Sequence, residues 1–177
     1  MKRSFDRLLG VPVAQRDRRW LGLALRKLLW SAAVGPMLEE MGCGWCDGGC
    51  HSCAQGIRAY LEQGGSLHPA RARLAVIADA RAPAQHVVAC LHLPGQKWYL
   101  DANGVFDEKR LLRYWAEQEG LLWPRVEEDY DADWLDEEIP CNGRMSAQVT
   151  ALLLGAFGPF NLAWLGLSRK KSGGEAG

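Results

Sequence analysis

The junction between a glycine-rich stretch and a helical pattern at Cys50 constrains the fold of this chain most strongly. Two glycines precede the cysteine, and apolar residues then recur at helical spacing until a second glycine pair at residues 64–65. This pattern predicts a helix from Cys50 to about Gln63. Because the first turn of a helix has unpaired N–H groups and the positive end of the helix dipole, it favours a thiolate over a thiol. The junction therefore predicts a reactive cysteine at the start of a helix.

Three short apolar segments follow this helix, and each has the length of a β-strand. They cover Arg73–Asp79, His86–His92 and Lys97–Ala102. The four residues 93–96 between the last two read Leu-Pro-Gly-Gln, which is typical of a hairpin turn. One helix followed by these strands predicts an α+β fold.

Further helices are predicted on both sides of these strands. Residues 17–34 have apolar side chains at helical spacing, and Gly35-Pro36 is expected to end that helix. Asp107 is expected to cap another helix, which ends at Gly120. The strands are therefore expected to lie between helical segments of the chain.

A thiolate nucleophile needs a histidine to move protons, and the histidine needs a carboxylate or amide that fixes its tautomer and orientation. His86 begins the second predicted strand, and Asp101 lies near the end of the third. We therefore expect Cys50, His86 and Asp101 to form a catalytic triad. Asn103 is the alternative orienting residue if the strands pair in a different register.

The register of the predicted hairpin decides whether the histidine and the carboxylate can meet. If the turn is four residues long, His92 pairs with Lys97, and His86 and Asp101 become diagonal neighbours on one sheet face. A register shifted by one residue would place them on opposite faces. The triad interpretation therefore predicts the pairing of His92 with Lys97.

These residues resemble those of the papain-like and transglutaminase-like superfamily of cysteine-nucleophile domains. The segment from Gly48 to Ala54 reads Gly-Gly-Cys-His-Ser-Cys-Ala and resembles the Gly-x-Cys-x-x-x-Ala signature at the nucleophile of transglutaminase-like proteins. Later residues resemble their histidine strand, turn, tryptophan and aspartate, here His86-Val87-Val88, Leu93-Pro94-Gly95, Trp98 and Asp101. The resemblance covers roughly residues 42–116.

The resemblance implies a fold and a type of chemistry. The fold is a papain/transglutaminase-like core in which the nucleophile helix packs on an antiparallel sheet. The chemistry is hydrolysis, deamidation or acyl transfer at a peptide or protein amide, without a cofactor. Cys50 would be the nucleophile, His86 the general base and then acid, and Asp101 the orienting residue. Residues 44–49 lack the glutamine with which papain-like enzymes often complete the oxyanion hole, so the second donor is not identified.

The cysteines around the nucleophile also permit a different interpretation. Cys43, Cys46, Cys50 and Cys53 form two Cys-x-x-Cys pairs, and four thiolates are a usual set of ligands for structural zinc. Only three residues separate the two pairs, which is a short loop for such a site. In this alternative the protein is a non-catalytic binding module on the same fold, stabilised by zinc.

The remaining segments divide the chain around this core. We expect an N-terminal helical extension at 1–41, the core at 42–125, an acidic connecting segment at 126–144, and an apolar C-terminal helical extension with a disordered tail at 145–177. Residues 149–167 are nearly all apolar and long enough to span a membrane, but a glycine-proline pair interrupts them. A buried helical extension is therefore expected, with a membrane anchor as the alternative.

The net charge of the chain bears on its expected partners, and its N-terminal residues bear on its expected location in the cell. The chain has 21 Lys and Arg against 21 Asp and Glu, so no nucleic-acid partner is expected from its net charge. Charged residues interrupt the early apolar stretches, which is not typical of a signal peptide. A cytoplasmic location is therefore expected, where the six cysteines would remain reduced.

Overall fold

The three apolar segments of the sequence form the centre of a five-stranded antiparallel sheet. The computed structural model describes residues 10–42, 44, 48–63, 71–80, 82–128 and 141–166. The strands are β1 (Arg71–Asp79), β2 (Ala82–Leu93), β3 (Gln96–Asp101), β4 (Gly104–Phe106) and β5 (Arg125–Glu127). Their order across the sheet is β4-β3-β2-β1-β5. The sequence predicted the three central strands and missed the two short strands at the edges.

Five α-helices accompany the sheet in the described part of the chain. They are α1 (Arg18–Leu29), α2 (Gly35–Met41), α3 (Cys50–Gln63), α4 (Glu108–Glu119) and α5 (Gly143–Phe157). The side chains of Asp17, Asp107 and Asn142 accept hydrogen bonds from backbone N–H groups in the first turns of α1, α4 and α5. The predicted bounds of α3 and α4 are confirmed, including the end of α4 at Gly120. The chain is therefore an α+β protein.

The two faces of the sheet carry separate apolar cores, because side chains alternate along each strand. On one face, which we call the α3 face, Ala89 and Leu100 pack with Ile57 of α3 and with apolar residues of α1 and α5. On the other, the α4 face, Tyr99 packs with Leu111 of α4. Any side chain of β2 or β3 can therefore be assigned to one face from the strand register.

The break expected at Gly35-Pro36 is a change from one helix to another, and the chain stays helical through it. A π-helical turn over Trp30–Val34 follows α1, and α2 then begins at Gly35 with Pro36 in its first turn. Proline is tolerated in a first turn because the N–H it lacks has no intrahelical partner there. The wider π turn lets the chain remain helical up to the proline.

The apolar C-terminal segment is part of the core on the α3 face. α5 and a short 3₁₀ helix, Leu162–Leu165, bring Phe157 and Trp164 against Trp20 of α1, with ring centroids 5.5 and 5.3 Å apart. The buried helical extension expected from the sequence is confirmed for the described residues 149–166, whose inward side chains are buried. Within the described ranges, no helix combines the length and the apolar character needed to cross a membrane.

Much of the acidic connecting segment lies outside the described residues, as does the tail from residue 167 onward. The first residues of the acidic segment belong to β5, in which Val126 pairs with Ile77 of β1. Glu128 follows β5 and reaches Lys97 of β3, with 2.9 Å between ammonium nitrogen and carboxylate oxygen. The described start of the segment is therefore an edge strand, followed by Glu128 against the α4 face.

Candidate active site

The hairpin of β2 and β3 has the register that the triad interpretation predicts. His92 pairs with Lys97, and Ala89 pairs with Leu100. Asp101 therefore follows on the same sheet face as His86. His86 Nε2 lies 3.0 Å from Asp101 Oδ2. Because a carboxylate only accepts hydrogen bonds, this contact requires the proton on Nε2 and leaves Nδ1 as the nitrogen for proton transfer.

The His86–Asp101 pair is almost completely buried, with side-chain exposures of 0% and 2%. Trp115 of α4 covers the imidazole, with 3.8 Å between ring centroids and 32° between ring planes. This stacking restricts rotation of the imidazole about its Cβ–Cγ bond and keeps water away from the pair. The sequence places Trp115 within the predicted helix that Asp107 caps, but nothing in it indicates a contact with His86.

The turn between β3 and β4 fixes the Asp101 carboxylate. Its Oδ1 accepts hydrogen bonds from the backbone N–H groups of Asn103, at 2.6 Å, and Gly104, at 3.1 Å. Gly104 has φ of +145°, a backbone conformation that residues other than glycine rarely adopt. The Asn103 amide lies 3.4 Å from Asp101 Oδ2 and accepts from the Trp30 indole at 3.2 Å. Asp101 is thus the residue that meets His86, and Asn103 supports it.

Cys50 is the first residue of α3, as predicted, and its side chain is 1% exposed. Gly48, two residues earlier, has φ of +127°, so this approach to the helix requires glycine. Residues 43 and 45–47 lie outside the described residues. The local geometry places the Cys50 thiol at the positive end of a 14-residue helix.

Cys53 lies one turn further along α3 and differs chemically from Cys50. Burial raises the pKa of the Cys53 thiol well above its usual value, and its electrostatic interactions with Asp101 and Cys50 raise it further. Cys53 therefore remains a thiol at neutral pH and acts as a core residue. α3 also packs against β3, the strand that ends at Asp101.

The His86–Asp101 pair and Cys53 lie on different faces of the sheet. His86 and Asp101 share the α4 face with Tyr99, whereas Cys53 packs in the core of the α3 face. The described pairs between β2 and β3 run from Leu93 only to Ala89, so His86 lies beyond the last of them.

The four-cysteine zinc interpretation falls partly outside the described residues. Cys43 and Cys46 are not described, whereas Cys50 and Cys53 lie three residues apart on α3 and are buried. Two cysteines at this spacing project from one side of a helix. Cys50 and Cys53 would supply two of the four ligands of such a site. The participation of Cys43 and Cys46 stays a prediction from the sequence.

No family model, no curated protein and no solved structure matches this chain. The resemblance to papain-like and transglutaminase-like domains therefore depends on the residues and the geometry described above.

Proposed function

We propose that this protein is a thiol-dependent amide hydrolase or acyltransferase with a papain/transglutaminase-like core. Cys50 is the nucleophile, His86 the general base and then acid, and Asp101 the residue that orients the imidazole. The substrate is a peptide or protein amide. This function covers peptidase, deamidase and transglutaminase-like reactions, which share the same acyl-enzyme chemistry.

The buried pair of His86 and Asp101 is the observation that carries the proposal. Removing an imidazole and a carboxylate from water costs free energy that their mutual attraction often does not recover, and apolar side chains of similar size would stabilise a core as well. Such pairs with fixed geometry are therefore more common at functional sites than in ordinary cores. The thiol of Cys50, at the N-terminus of α3, supplies a matching nucleophile.

The proposed reaction proceeds through two acyl transfers. His86 Nδ1 takes the Cys50 proton, and the thiolate attacks the amide carbon to form a carbon–sulfur bond and an oxyanion. The Cys50 backbone N–H stabilises the oxyanion, and the imidazolium returns the proton to the leaving amine as the carbon–nitrogen bond breaks. Water or an acceptor amine, deprotonated by His86, then cleaves the thioester and restores the thiol.

The burial of Cys50 is a specific observation that favours a second candidate function. At 1% exposure, the sulfur is reached by a substrate only after neighbouring groups move. In the second candidate, the protein is a non-catalytic binding module in which Cys50, His86 and Asp101 are structural. The pH dependence of Cys50 alkylation distinguishes the two candidate functions, because a purely structural thiol is not expected to ionise below its ordinary pKa.

Alkylation across a range of pH tests the proposed function. The rate at which iodoacetamide modifies Cys50, followed by peptide mass spectrometry, should stay nearly constant between pH 6 and pH 8. The rate for the free thiol of N-acetylcysteine should rise by roughly tenfold per pH unit over most of that range. The shape of the profile, and not the absolute rate, is compared, because burial slows the reaction at every pH. A Cys50 profile parallel to that of N-acetylcysteine would refute the proposal.

A further inference from the structure

A second group of ligating side chains lies on the α4 face, further along β2 from His86. Cys90 and His92 belong to β2, and Glu128 follows β5. One sulfur, one imidazole nitrogen and one carboxylate oxygen from these residues lie within 4.8 Å of one another. None of these residues takes part in the proposed thiol chemistry, so their convergence calls for a separate explanation.

The imidazole and the carboxylate of this group are at hydrogen-bonding distance, and all three ligating atoms lie close to the separations found around one metal ion. His92 Nε2 and Glu128 Oε2 are 2.7 Å apart, and Cys90 Sγ and Glu128 Oε1 are 3.9 Å apart. Although His92 Nε2 is inaccessible to solvent, it has no hydrogen bond of acceptable geometry in the described part of the chain. Ligands of tetrahedral zinc lie roughly 3.3–3.8 Å from one another, given metal–ligand bonds of about 2.0–2.3 Å. Small side-chain rotations would bring the three atoms to those separations.

The carboxylate of Glu128 is oriented by its neighbours. Tyr99 donates a hydrogen bond to Oε1 at 2.8 Å, which leaves Oε2 on the side of His92. Lys97 Nζ lies 2.9 Å from both oxygens, and its side chain is 46% exposed. The ammonium group therefore occupies the cation position at this carboxylate, and it can leave for solvent when another cation arrives.

The group is also reachable from solvent. A surface pocket is lined by His92, Lys97 and Trp98 of the β2–β3 hairpin and by Glu108 at the start of α4. His92 belongs both to the pocket wall and to the ligating group, and Lys97 of the same wall contacts the Glu128 carboxylate. The pocket therefore borders the ligating group. A metal ion would thus have a path of entry from solvent, and a water molecule would supply the fourth ligand.

We propose that Cys90, His92 and Glu128 bind a zinc ion, or a similar borderline divalent transition metal, with Lys97 displaced to solvent. Thiolate and imidazole ligands favour such metals over magnesium or calcium, which prefer oxygen ligands alone. Binding releases the Cys90 thiol proton to the buffer, since the thiolate is the ligand. The metal would fix the start of the acidic segment to β2. This site shares no residue with the proposed triad.

Cobalt and zinc titrations of the full chain test this site. Co²⁺ should produce the near-ultraviolet absorption of a cobalt–thiolate bond, and Zn²⁺ should remove it by competition. Cys90→Ser should abolish the band, and His92→Ala should weaken Zn²⁺ affinity by at least about tenfold, since loss of even an outer-shell partner typically costs 10–100-fold. The double variant Cys43→Ser/Cys46→Ser is the matched control and should keep the band.

Lys97→Met separates a metal site from a simple ion-pair network. Because the variant removes the competing ammonium, it should tighten Zn²⁺ binding by about two- to fivefold, the range expected for loss of an exposed ion pair. Unchanged or weaker Zn²⁺ binding in Lys97→Met would overturn the proposal. So would a cobalt band that survives in Cys90→Ser and disappears in the Cys43/Cys46 double variant. A failure here leaves the alkylation profile of Cys50 unaffected, so the two proposals fail separately.

Discussion

Replacing His86 with alanine is expected to slow alkylation of Cys50 at pH 6 by at least about tenfold. Without the imidazole, the thiolate loses the cation that stabilises it, and only the small fraction ionised in an ordinary thiol remains reactive. Iodoacetamide labelling followed by peptide mass spectrometry measures the rate directly. His86→Asn should be equally slow, although its amide can still donate to Asp101 and so spares the fold from a buried unpaired carboxylate.

His92→Ala is the matched control for this experiment. His92 lies on the same strand and on the same sheet face, but it contacts Glu128 and not Asp101. The rate of Cys50 alkylation in metal-free His92→Ala should therefore equal that of the unmodified protein. Equal slowing in the two histidine variants would mean that His86 acts only through general effects on the fold, and the triad would be refuted.

Gly56→Ala is expected to lower the free energy of unfolding by about 3 kcal/mol, an effect at the upper end of the range for overpacked sites. Gly56 lies in α3 where this helix packs against α5. A β-carbon at this position would stand 2.6 Å from both the Ser146 carbonyl oxygen and Val149 Cβ. Because a carbonyl oxygen and the stem of a side chain cannot rotate away, the two helices would have to separate. Urea denaturation followed by tryptophan fluorescence measures the loss.

Gly155→Ala provides the matched control for the helix contact. Gly155 is also inside a helix, α5, but a β-carbon there would have no heavy atom within 4 Å. Because alanine is the better helix former, this variant should be as stable as the original or more stable by up to about 1 kcal/mol. Similar destabilisation by the two substitutions would show that the close approach of α3 and α5 is not a feature of the folded protein.

The parts of the fold that the sequence predicted correctly are determined by local signals. Asp107 and Gly120 bound α4 because a capping side chain and a left-handed glycine act within one turn of the helix. The four-residue turn at 93–96 fixes the register of β2 and β3. By contrast, β4 and β5 have three residues each and exist only through pairing with neighbouring strands, so their short sequences have no periodic signal.

The same distinction applies to the candidate site. His86 and Asp101 could be paired from the sequence because one hairpin contains both residues. Trp115 could not be assigned to the site, since the packing of α4 on the sheet, and no local pattern, brings it to the imidazole. Glu128 was missed for a related reason: it reaches Lys97 only because β5 pairs with β1 at the far edge. Contacts between distant segments require the three-dimensional packing.

A measurement of the pH at which the Cys50 thiol ionises tests the central claim most directly. Thiolate absorbance in the far ultraviolet, recorded against pH as the difference between the unmodified protein and Cys50→Ala, reports this sulfur without any reagent having to reach it. If Cys50 forms an ion pair with His86, the difference signal should already be present well below the pH of about 8.5 at which free cysteine ionises, and His86→Ala should remove it there. A signal that develops only at or above pH 8.5, and is unchanged by His86→Ala, would contradict the triad.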